Sequence, residues 1–557
     1  MGAPKQAEAL SFPRTASPKV YPRLSRNDIE ALIAAGSHVI IYNGYALKVN
    51  AWIPYHPGGD KAIMHMVGRD ATDEINALHS PDATKRMIKF RIGKVEEGPW
   101  LNFTPPIQGG TFRSGDEVQG TTTIPSADQK EISQADNTLK QRSAPEATSP
   151  KSESTSNPEV DSDGMSYLDA VSREYITLDL EKYPNPDLST QASVVEKYRK
   201  LYERMEDEGL MNPNWQAYAA DCCRYVLLFS LSMVFLRFGQ WALSGFFLGL
   251  LWHQLVFTAH DAGHIGITHN YHFDSILGII IADYIGGLSL GWWKSNHNVH
   301  HIVTNAPEHD PDIEHMPLFA ISHRFLGNLY STYYDRAMTY DIFAKFLLRF
   351  QTWTYYPLLS LGRFNLYALS WQYLFGGKAP KKGISAWHRW VEIGGQFFFW
   401  FWFGYLIVYR TIPDGWSRFT FVMVSHITSS PLHVQIVLSH FAMSTADLGP
   451  QESFPQRMLR TTMDVDCPPW LDFIHGGLQF QAIHHLFPRM PRHNLRQAQK
   501  LVLEFCDDVG IPYAYYGFAH GNQQVLGRLG EVSRQAAILA KCQKSIAKSG
   551  RLDGHHH

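Results

Sequence analysis

Residues 292–301, Trp-Trp-Lys-Ser-Asn-His-Asn-Val-His-His, contain the histidine spacing that decides the fold of this chain. His297, His300 and His301 stand at positions i, i+3 and i+4, which places their imidazole rings on one face of a helix. Imidazole is a good ligand for iron, zinc and copper. The stretch therefore predicts a helix that presents one face to a metal ion, and a buried polar network is the alternative for a single triplet of this kind.

Two further stretches repeat the spacing. His260 and His264 stand at i and i+4, and Gln481 is followed at i+3 and i+4 by His484 and His485. Three helical histidine faces in one chain, each beside an apolar span, favour one shared metal centre over three unrelated polar networks.

An eighth histidine, His440, stands at the end of another apolar run. Eight imidazoles are too many for one ion and suit two. Soluble di-iron bundles bind their metals through Glu and Glu-x-x-His, whereas these stretches are almost free of carboxylates. Asp261, Asp310 and Asp312 are candidates to orient the rings, and a plain surface role for the last two is the alternative.

Four apolar runs predict membrane-spanning helices arranged as two hairpins, although the first run is short for a bilayer. His260 and His440 stand at the exits of the two hairpins, so an even number of crossings places every histidine stretch on one side of the membrane. Most Lys and Arg residues lie in segments of that side, which predicts that it is cytosolic. The four runs are residues 225–237, 241–259, 391–409 and 416–437.

Two other apolar segments, residues 273–290 and 355–375, contain charged residues and glycines, among them Asp283 and Arg363. We expect interfacial or buried helices there. If either segment crossed the membrane, the histidine stretches would lie on opposite faces, and a shared metal site forbids that.

The N-terminal region, residues 20–97, has a different character. Ser25 and Asp28 predict a capping box, and Asn43-Gly44 between two β-rich runs predicts a hairpin. The region resembles cytochrome b5 through His-Pro-Gly-Gly at 56–59, Gly-Arg-Asp-Ala-Thr at 68–72 and His79. The resemblance implies that His56 and His79 are the axial ligands of haem b, and a turn role for His56 is the alternative. The haem would be non-covalent, because CxxCH is absent and the first cysteine of the sequence is Cys222.

Composition divides the 557 residues into several units. Residues 98–165 are rich in Ser, Thr, Pro and charged residues, which predicts a disordered linker. A membrane domain follows over 166–492, beginning with an amphipathic helix at 189–209, and a helical tail without an assigned function covers 493–557. The net charge of −2 gives no indication of a nucleic-acid partner. Five cysteines without a CxxC pattern indicate a reducing compartment.

The histidine stretches match, in order, the HxxxH, HxxHH and QxxHH boxes of the membrane fatty-acyl desaturases, over about residues 220–490. Gln481 as the first residue of the third box resembles the front-end group, whose members carry an N-terminal cytochrome b5. The linker and the box sequences resemble fungal Δ8 sphingolipid desaturases. The implied fold is an α+β haem domain followed by an all-α integral membrane domain with four transmembrane helices and a cytosolic di-iron site.

That resemblance also implies the cofactors and partners. The seven box histidines and His440 would bind two iron ions, and Gln481 would lie beside them. Molecular oxygen would be the co-substrate, NADH electrons would arrive through cytochrome b5 reductase, and a ceramide long-chain base in the endoplasmic reticulum membrane would be the substrate. A Δ5 or Δ6 fatty-acid desaturase, a b5-fused lipid hydroxylase, a zinc-dependent membrane hydrolase and a membrane-anchored b5 electron donor are the alternatives.

Overall fold

The computed structural model describes residues 20–119 and 158–553. The N-terminal region forms a four-stranded sheet in the order Arg23–Leu24, Arg91–Val95, Tyr45–Lys48, Val39–Tyr42, with its first pair parallel and the others antiparallel. Its helices are Arg26–Ala34, Lys61–Met64, Thr72–Leu78 and Pro81–Met87.

Both local predictions for this region are confirmed. The Ser25 hydroxyl accepts from the N–H of Asp28, and the Asp28 carboxylate accepts from the N–H of Ser25, which completes the capping box. Tyr42 pairs with Tyr45 across a two-residue turn. Asn43 and Gly44 have φ angles of 49° and 72°, the left-handed pair that a tight hairpin needs.

The sheet region extends beyond residue 97. Phe103 is buried in the same hydrophobic cluster as Ile29 and Val67, and the Trp100 indole donates to the carbonyl of Gly68 at 2.9 Å. The expectation that a linker begins at residue 98 is therefore wrong, because two aromatic side chains in this polar segment bury themselves on the haem domain.

A helix, Pro158–Lys182, also begins inside the segment that we expected to be linker. The expected disorder of residues 120–157 lies outside the described residues.

Four helices of the described chain are long and apolar enough to cross a bilayer, and the protein is a multi-pass membrane protein. They are span 1, Trp215–Arg237; span 2, Trp241–Gly263; span 3, His388–Thr411; and span 4, Gly415–Phe441. Span 3 becomes π-helical from Trp400, and span 4 is interrupted between Ser429 and Pro431. Each helix extends beyond the run predicted for it, since polar residues at the ends of the runs remain helical.

Span 2 packs directly on span 4 through two glycines. A Cβ atom added at Gly245 would lie 2.7 Å from the carbonyl oxygen of Phe421, and one at Gly249 would lie 2.4 Å from that of Ser425. Small residues four apart allow two membrane helices to approach this closely.

The first ambiguous segment forms a bent pair, Tyr271–Ile285 and Leu290–Ile302, in which the chain bends by 117° between the two helices. The second forms Gln351–Ser360 and Gly362–Phe375, which are not among the four apolar helices. The expectation that neither segment crosses the membrane remains a prediction.

The predicted amphipathic helix spans Leu188–Asp207 and buries Val194, Tyr198 and Leu201 against the C-terminal half of the chain. The predicted tail is helical over Leu495–Val509 and Phe518–Asp553, and both helices join hydrophobic clusters of the membrane domain. The remaining elements are helices Gly115–Gln119, Ile342–Leu347, Phe454–Thr461, Asp472–His475 and Gln481–Leu486, and strands Leu329–Ser331, Arg336–Met338, Asp464–Asp466 and Tyr515–Gly517.

The N-terminal domain docks on the bent pair. Val299, Ile302 and Val303 share a hydrophobic cluster with Met66 and Ile75 of that domain. Ion pairs surround this contact: Arg199–Asp73 at 2.8 Å, Arg457–Glu74 at 3.3 Å and Lys61–Asp335 at 2.8 Å. The domain therefore lies against the helix that carries His297, His300 and His301.

Candidate metal centre and haem site

The structure brings together all eight histidines singled out in the sequence. Ring nitrogens of the first group lie within 4.8 Å of one another, as do those of the second group. His301 lies between the groups, with its ring centroid 4.8 Å from that of His264 and 4.2 Å from that of His485. The first group is His260, His264, His297 and His484, and the second is His300, His440 and His485.

Helix ends deliver these side chains. His260 and His264 stand at the end of span 2, and His440 at the end of span 4. Gly263 makes the meeting of the first two boxes possible, because a Cβ atom there would lie 2.1 Å from the Trp293 ring. The Trp293 ring in turn stacks on His297 with centroids 4.5 Å apart.

The third box is held by Asp464. Its carboxylate accepts from the backbone N–H of Ala482 at 2.8 Å, at the start of helix Gln481–Leu486, and from the Tyr513 hydroxyl. Burial lowers the pKa of His484 and His485 well below the usual value. Both rings are therefore neutral donors at physiological pH.

Five of these rings have a buried nitrogen without a hydrogen-bond partner among the described residues. A buried polar atom without a partner costs a few kcal/mol, and a cluster of five at one place would be unstable. A metal ion in each group removes this cost, since neutral imidazole nitrogens are metal ligands. The five atoms are Nε2 of His264, His484 and His485 and Nδ1 of His301 and His440.

Two carboxylates orient the rings from behind. The Oδ2 atom of Asp310, which is fully buried, lies 2.8 Å from Nδ1 of His300 and also accepts from the N–H of Asn305. Asp312 lies 3.4 Å from Nδ1 of His297. Neither aspartate has the surface role that was the alternative. Such contacts fix which ring nitrogen faces the metal.

Asp261 does not orient a box histidine. Its carboxylate accepts from the Tyr218 hydroxyl at 2.7 Å and from the Arg492 guanidinium, which also pairs with Asp221. Arg492 is the last residue of the predicted membrane domain, and its sequence context assigns it no role. The sequence contains no spacing signal for this network, because its members lie far apart along the chain.

Gln481 is buried and, together with His260 and His484, lines a cavity whose empty space is about 280 Å³ when the part open to solvent is included. It lies beside the first histidine group, as expected, and its direct contact with a metal remains a prediction.

The N-terminal pair also meets. The ring centroids of His56 and His79 are 5.9 Å apart. Nδ1 of His56 bonds the carbonyl of Gly59 at 2.6 Å, and Nδ1 of His79 bonds that of Ile75 at 3.1 Å, so both Nε2 atoms are available. Burial lowers the pKa of His56, and burial followed by the neighbouring His56 ring lowers that of His79 to about 3. Two neutral rings facing one another suit the two axial positions of a haem iron.

Comparison with known sequences identifies both domains. A sequence profile described as "Cytochrome b5-like Heme/Steroid binding domain" matches residues 25–96, and one described as "Fatty acid desaturase" matches residues 239–517. The chain belongs to the fatty acid desaturase family.

This desaturase has fungal relatives along nearly its whole length. It is 59% identical over 541 residues to a "Delta 8-(E)-sphingolipid desaturase" of Emericella nidulans, which covers 96% of this chain and 98% of the relative. A protein of the same description from Kluyveromyces lactis is 47% identical and covers 94% and 95%. An "Acyl-lipid (9-3)-desaturase" of Borago officinalis is 35% identical over 63% of this chain. The resemblance inferred from the boxes is therefore confirmed.

Proposed function

We propose that this desaturase introduces a Δ8-(E) double bond into the long-chain base of a ceramide, with oxygen as co-substrate. The observation that carries the proposal is the 59% identity to a Δ8 sphingolipid desaturase over 96% of the chain, with every box histidine in one cluster. The 35% identity to the borage enzyme, over 63% of the chain, ranks a fatty-acid substrate second.

The two histidine groups would hold two iron ions, one in each group, with His301 between them. When bound, the irons supply the activation of oxygen that removes one hydrogen from each of two adjacent methylenes. The residues keep the site dry and rigid. His300 and His297 are fixed by Asp310 and Asp312, and Trp293 packs on the first group from the side.

Haem b, held by His56 and His79, would supply single electrons to the centre. The docking geometry supports a direct transfer within one chain. A Cβ atom at Gly58, two residues from His56, would lie 2.8 Å from Nδ2, the side-chain amide nitrogen of Asn298. Asn298 is adjacent to His297. We further propose that NADH supplies these electrons through cytochrome b5 reductase, that the protein resides in the endoplasmic reticulum membrane, and that both cofactor sites face the cytosol.

Mass spectrometry of sphingoid bases and fatty acids, in a yeast that lacks the activity, tests the proposal. Wild-type chain should yield sphingoid bases that have lost two hydrogens, and His300→Ala should yield none. His520→Ala is the matched control, because His520 is exposed on the C-terminal helix. Loss of hydrogens in fatty acids instead would contradict the substrate, and gain of an oxygen would establish the hydroxylase alternative.

A further inference from the structure

A second cavity lies beside the metal centre, between the bent pair and the start of span 3. Its empty space is about 380 Å³ when the part open to solvent is included. Polar and ionisable side chains converge on it from three helices and a loop: Lys294, Ser275, Ser385, His388 and Glu392. Neither group of box histidines contributes to its wall.

Several of these polar groups lack partners. Nε2 of His388 is buried and has no hydrogen bond among the described residues, although the side chain is 7% exposed. The hydroxyls of Ser275 and Ser385 are also buried, and they face the Tyr271 hydroxyl without a hydrogen bond of normal geometry. Buried hydroxyl and imidazole groups are ordinarily satisfied, so their convergence indicates a polar ligand.

Lys294 adds a donor. Its ammonium lies 5.1 Å from the centroid of the Tyr271 ring, and within the described chain it has neither a hydrogen bond nor a carboxylate within 4.0 Å. A lysine amine can donate three hydrogen bonds. This amine is therefore free to donate into the cavity.

One buried carboxylate lies among the donors of this cavity. Glu392 places one carboxylate oxygen on the Ser289 hydroxyl and the N–H of Gly291, at 2.5 and 3.0 Å, and its negative charge opposes that of Lys294. Arg389 also lines the cavity, but its guanidinium donates to the carbonyl of Leu374 at 2.8 Å. A buried carboxylate disfavours a phosphate group, so hydroxyl and amide groups suit the cavity better than a phospholipid head group.

The cavity lies where a lipid head group would be found. His388 is the first residue of span 3, and the adjacent Trp387 and Trp390 are 46% and 68% exposed. Exposed tryptophans at the end of a membrane helix mark the level of the lipid head groups. A lipid could therefore place its polar end in the cavity while its chains remain in the bilayer.

We propose that this cavity binds the hydroxyl and amide head group of the ceramide substrate, an inference that rests on the proposed function. Lys294 precedes His297 by three residues, a rise of about 4.5 Å along the helix. A head group held there lies close to the metal centre, and the position of a Δ8 bond is counted from that end of the long-chain base. The cavity thus selects the head group and sets the distance to the reacting carbons.

Microsomes from the same yeast, with N-hexanoyl sphinganine as substrate, test this inference. Lys294→Met and Ser385→Ala should raise the KM at least about tenfold and about threefold, because each removes a hydrogen-bonding group from the cavity, while kcat changes less. Lys345→Met is the matched control, since Lys345 likewise lies over a tyrosine ring, 5.4 Å from that of Tyr340, but away from the cavity.

Two substrate analogues separate a contact from a loosened fold. One lacks the C1 hydroxyl and the other carries a methyl group on the amide nitrogen. A variant that has lost a head-group contact should discriminate less against at least one analogue than wild type does. A variant with a loosened fold would lose activity on all three substrates in proportion, and that result, or an unchanged KM, would overturn the inference.

The two proposals fail differently. If wild type desaturates the sphingoid base and both cavity variants retain its KM and discrimination, only the inference is overturned. If wild type desaturates fatty acids and leaves sphingoid bases unchanged, the proposed function fails and the inference with it. The melting temperature of each variant in detergent reports folding, and Ser385→Ala decides the matter if Lys294→Met does not fold.

Discussion

Single residues determine the charge of the metal centre. Imidazole donors are neutral, so two divalent ions held by eight of them would retain most of their positive charge. Asp310 and Asp312 lie behind His300 and His297 and return part of the missing negative charge through hydrogen bonds to their rings. The centre therefore differs from a carboxylate-rich di-iron bundle in where its negative charge lies.

Asp464 gives the folded state a dependence on pH. Burial raises the pKa of its carboxyl to about 7, against the opposing hydrogen bonds from Tyr513 and the backbone of Ala482. In the unfolded chain an aspartate titrates near pH 4. Because the folded pKa is the higher one, this group's contribution to stability is greatest below about pH 4, falls until about pH 7 and is constant above it.

Asp464→Asn should remove that dependence while it keeps an acceptor for Ala482. We expect its free energy of unfolding in detergent to exceed that of wild type by a margin that grows from pH 5 to pH 8, toward a few kcal/mol. The melting temperature of the variant should exceed that of wild type in parallel. Asp466→Asn, at an exposed position, should show no such margin. A margin independent of pH would contradict the raised pKa of Asp464.

At this scale the sequence predicted which histidines converge better than it predicted the residues that support them. The i, i+3, i+4 spacing identifies His297, His300 and His301 directly. Asp261 and Asp310 look equivalent in the sequence, since each is an aspartate near a histidine box. Only the fold directs one to Arg492 and the other to His300, because those contacts span long separations along the chain.

Among the helices, Leu290–Ile302 joins the two cofactor sites. One of its faces carries His297, His300 and His301 toward the metal centre. Another carries Val299 and Ile302 into the hydrophobic cluster shared with the haem domain. This 13-residue helix therefore lies between the haem domain and the histidine groups, which are separated by about the thickness of one helix.

The contact of span 2 with span 4 permits a test of helix packing. Gly249→Ala places a methyl group where the Ser425 carbonyl oxygen lies 2.4 Å away. We expect a loss of about 1 to 3 kcal/mol, as for other overpacked sites, seen as a lower melting temperature and less iron per chain. Gly415→Ala, which adds its methyl group in open space at the start of span 4, should leave both unchanged. Equal melting temperatures for the two variants would show that the spans are not in close contact.

Local sequence patterns predicted the helices and turns, but they did not predict where those elements begin and end. The Asn43-Gly44 turn and the Ser25 cap depend on neighbouring residues, and both were predicted correctly. The helix at Pro158 and the burial of Phe103 depend on distant partners, and composition alone placed both in a linker. Hydropathy located the four spans, but the runs that it predicted are shorter than the helices. Polar residues at a helix end, such as residues 215–224, lower the hydropathy although they remain helical.

At the scale of the whole molecule, electron transfer depends on how the haem domain docks. Its position is fixed by an apolar centre and a rim of ion pairs, among them Arg199–Asp73, whose acid is buried, with 9% of its side chain exposed. A charge pair of this kind contributes to orientation as well as to affinity.

Asp73→Lys should displace the haem domain without unfolding it, because the new lysine would face Arg199. We expect unchanged haem absorbance and, in microsomes reduced with NADH, reoxidation of the haem in the presence of substrate slowed at least about tenfold. The double variant Asp73→Lys with Arg199→Asp restores opposite charges and should recover most of the rate. No recovery in the double variant would show that this pair does not orient the domain.

Pro57 gives this docking a thermodynamic consequence. The residue follows the proposed haem ligand His56, yet it lines the cavity that contains Lys294. Cooperativity between two binding events is reciprocal: the factor by which a lipid in that cavity tightens docking of the haem domain equals the factor by which docking tightens binding of the lipid. Reducing equivalents would then enter the metal centre preferentially when a lipid is present to consume them, and fewer would be lost as reduced oxygen.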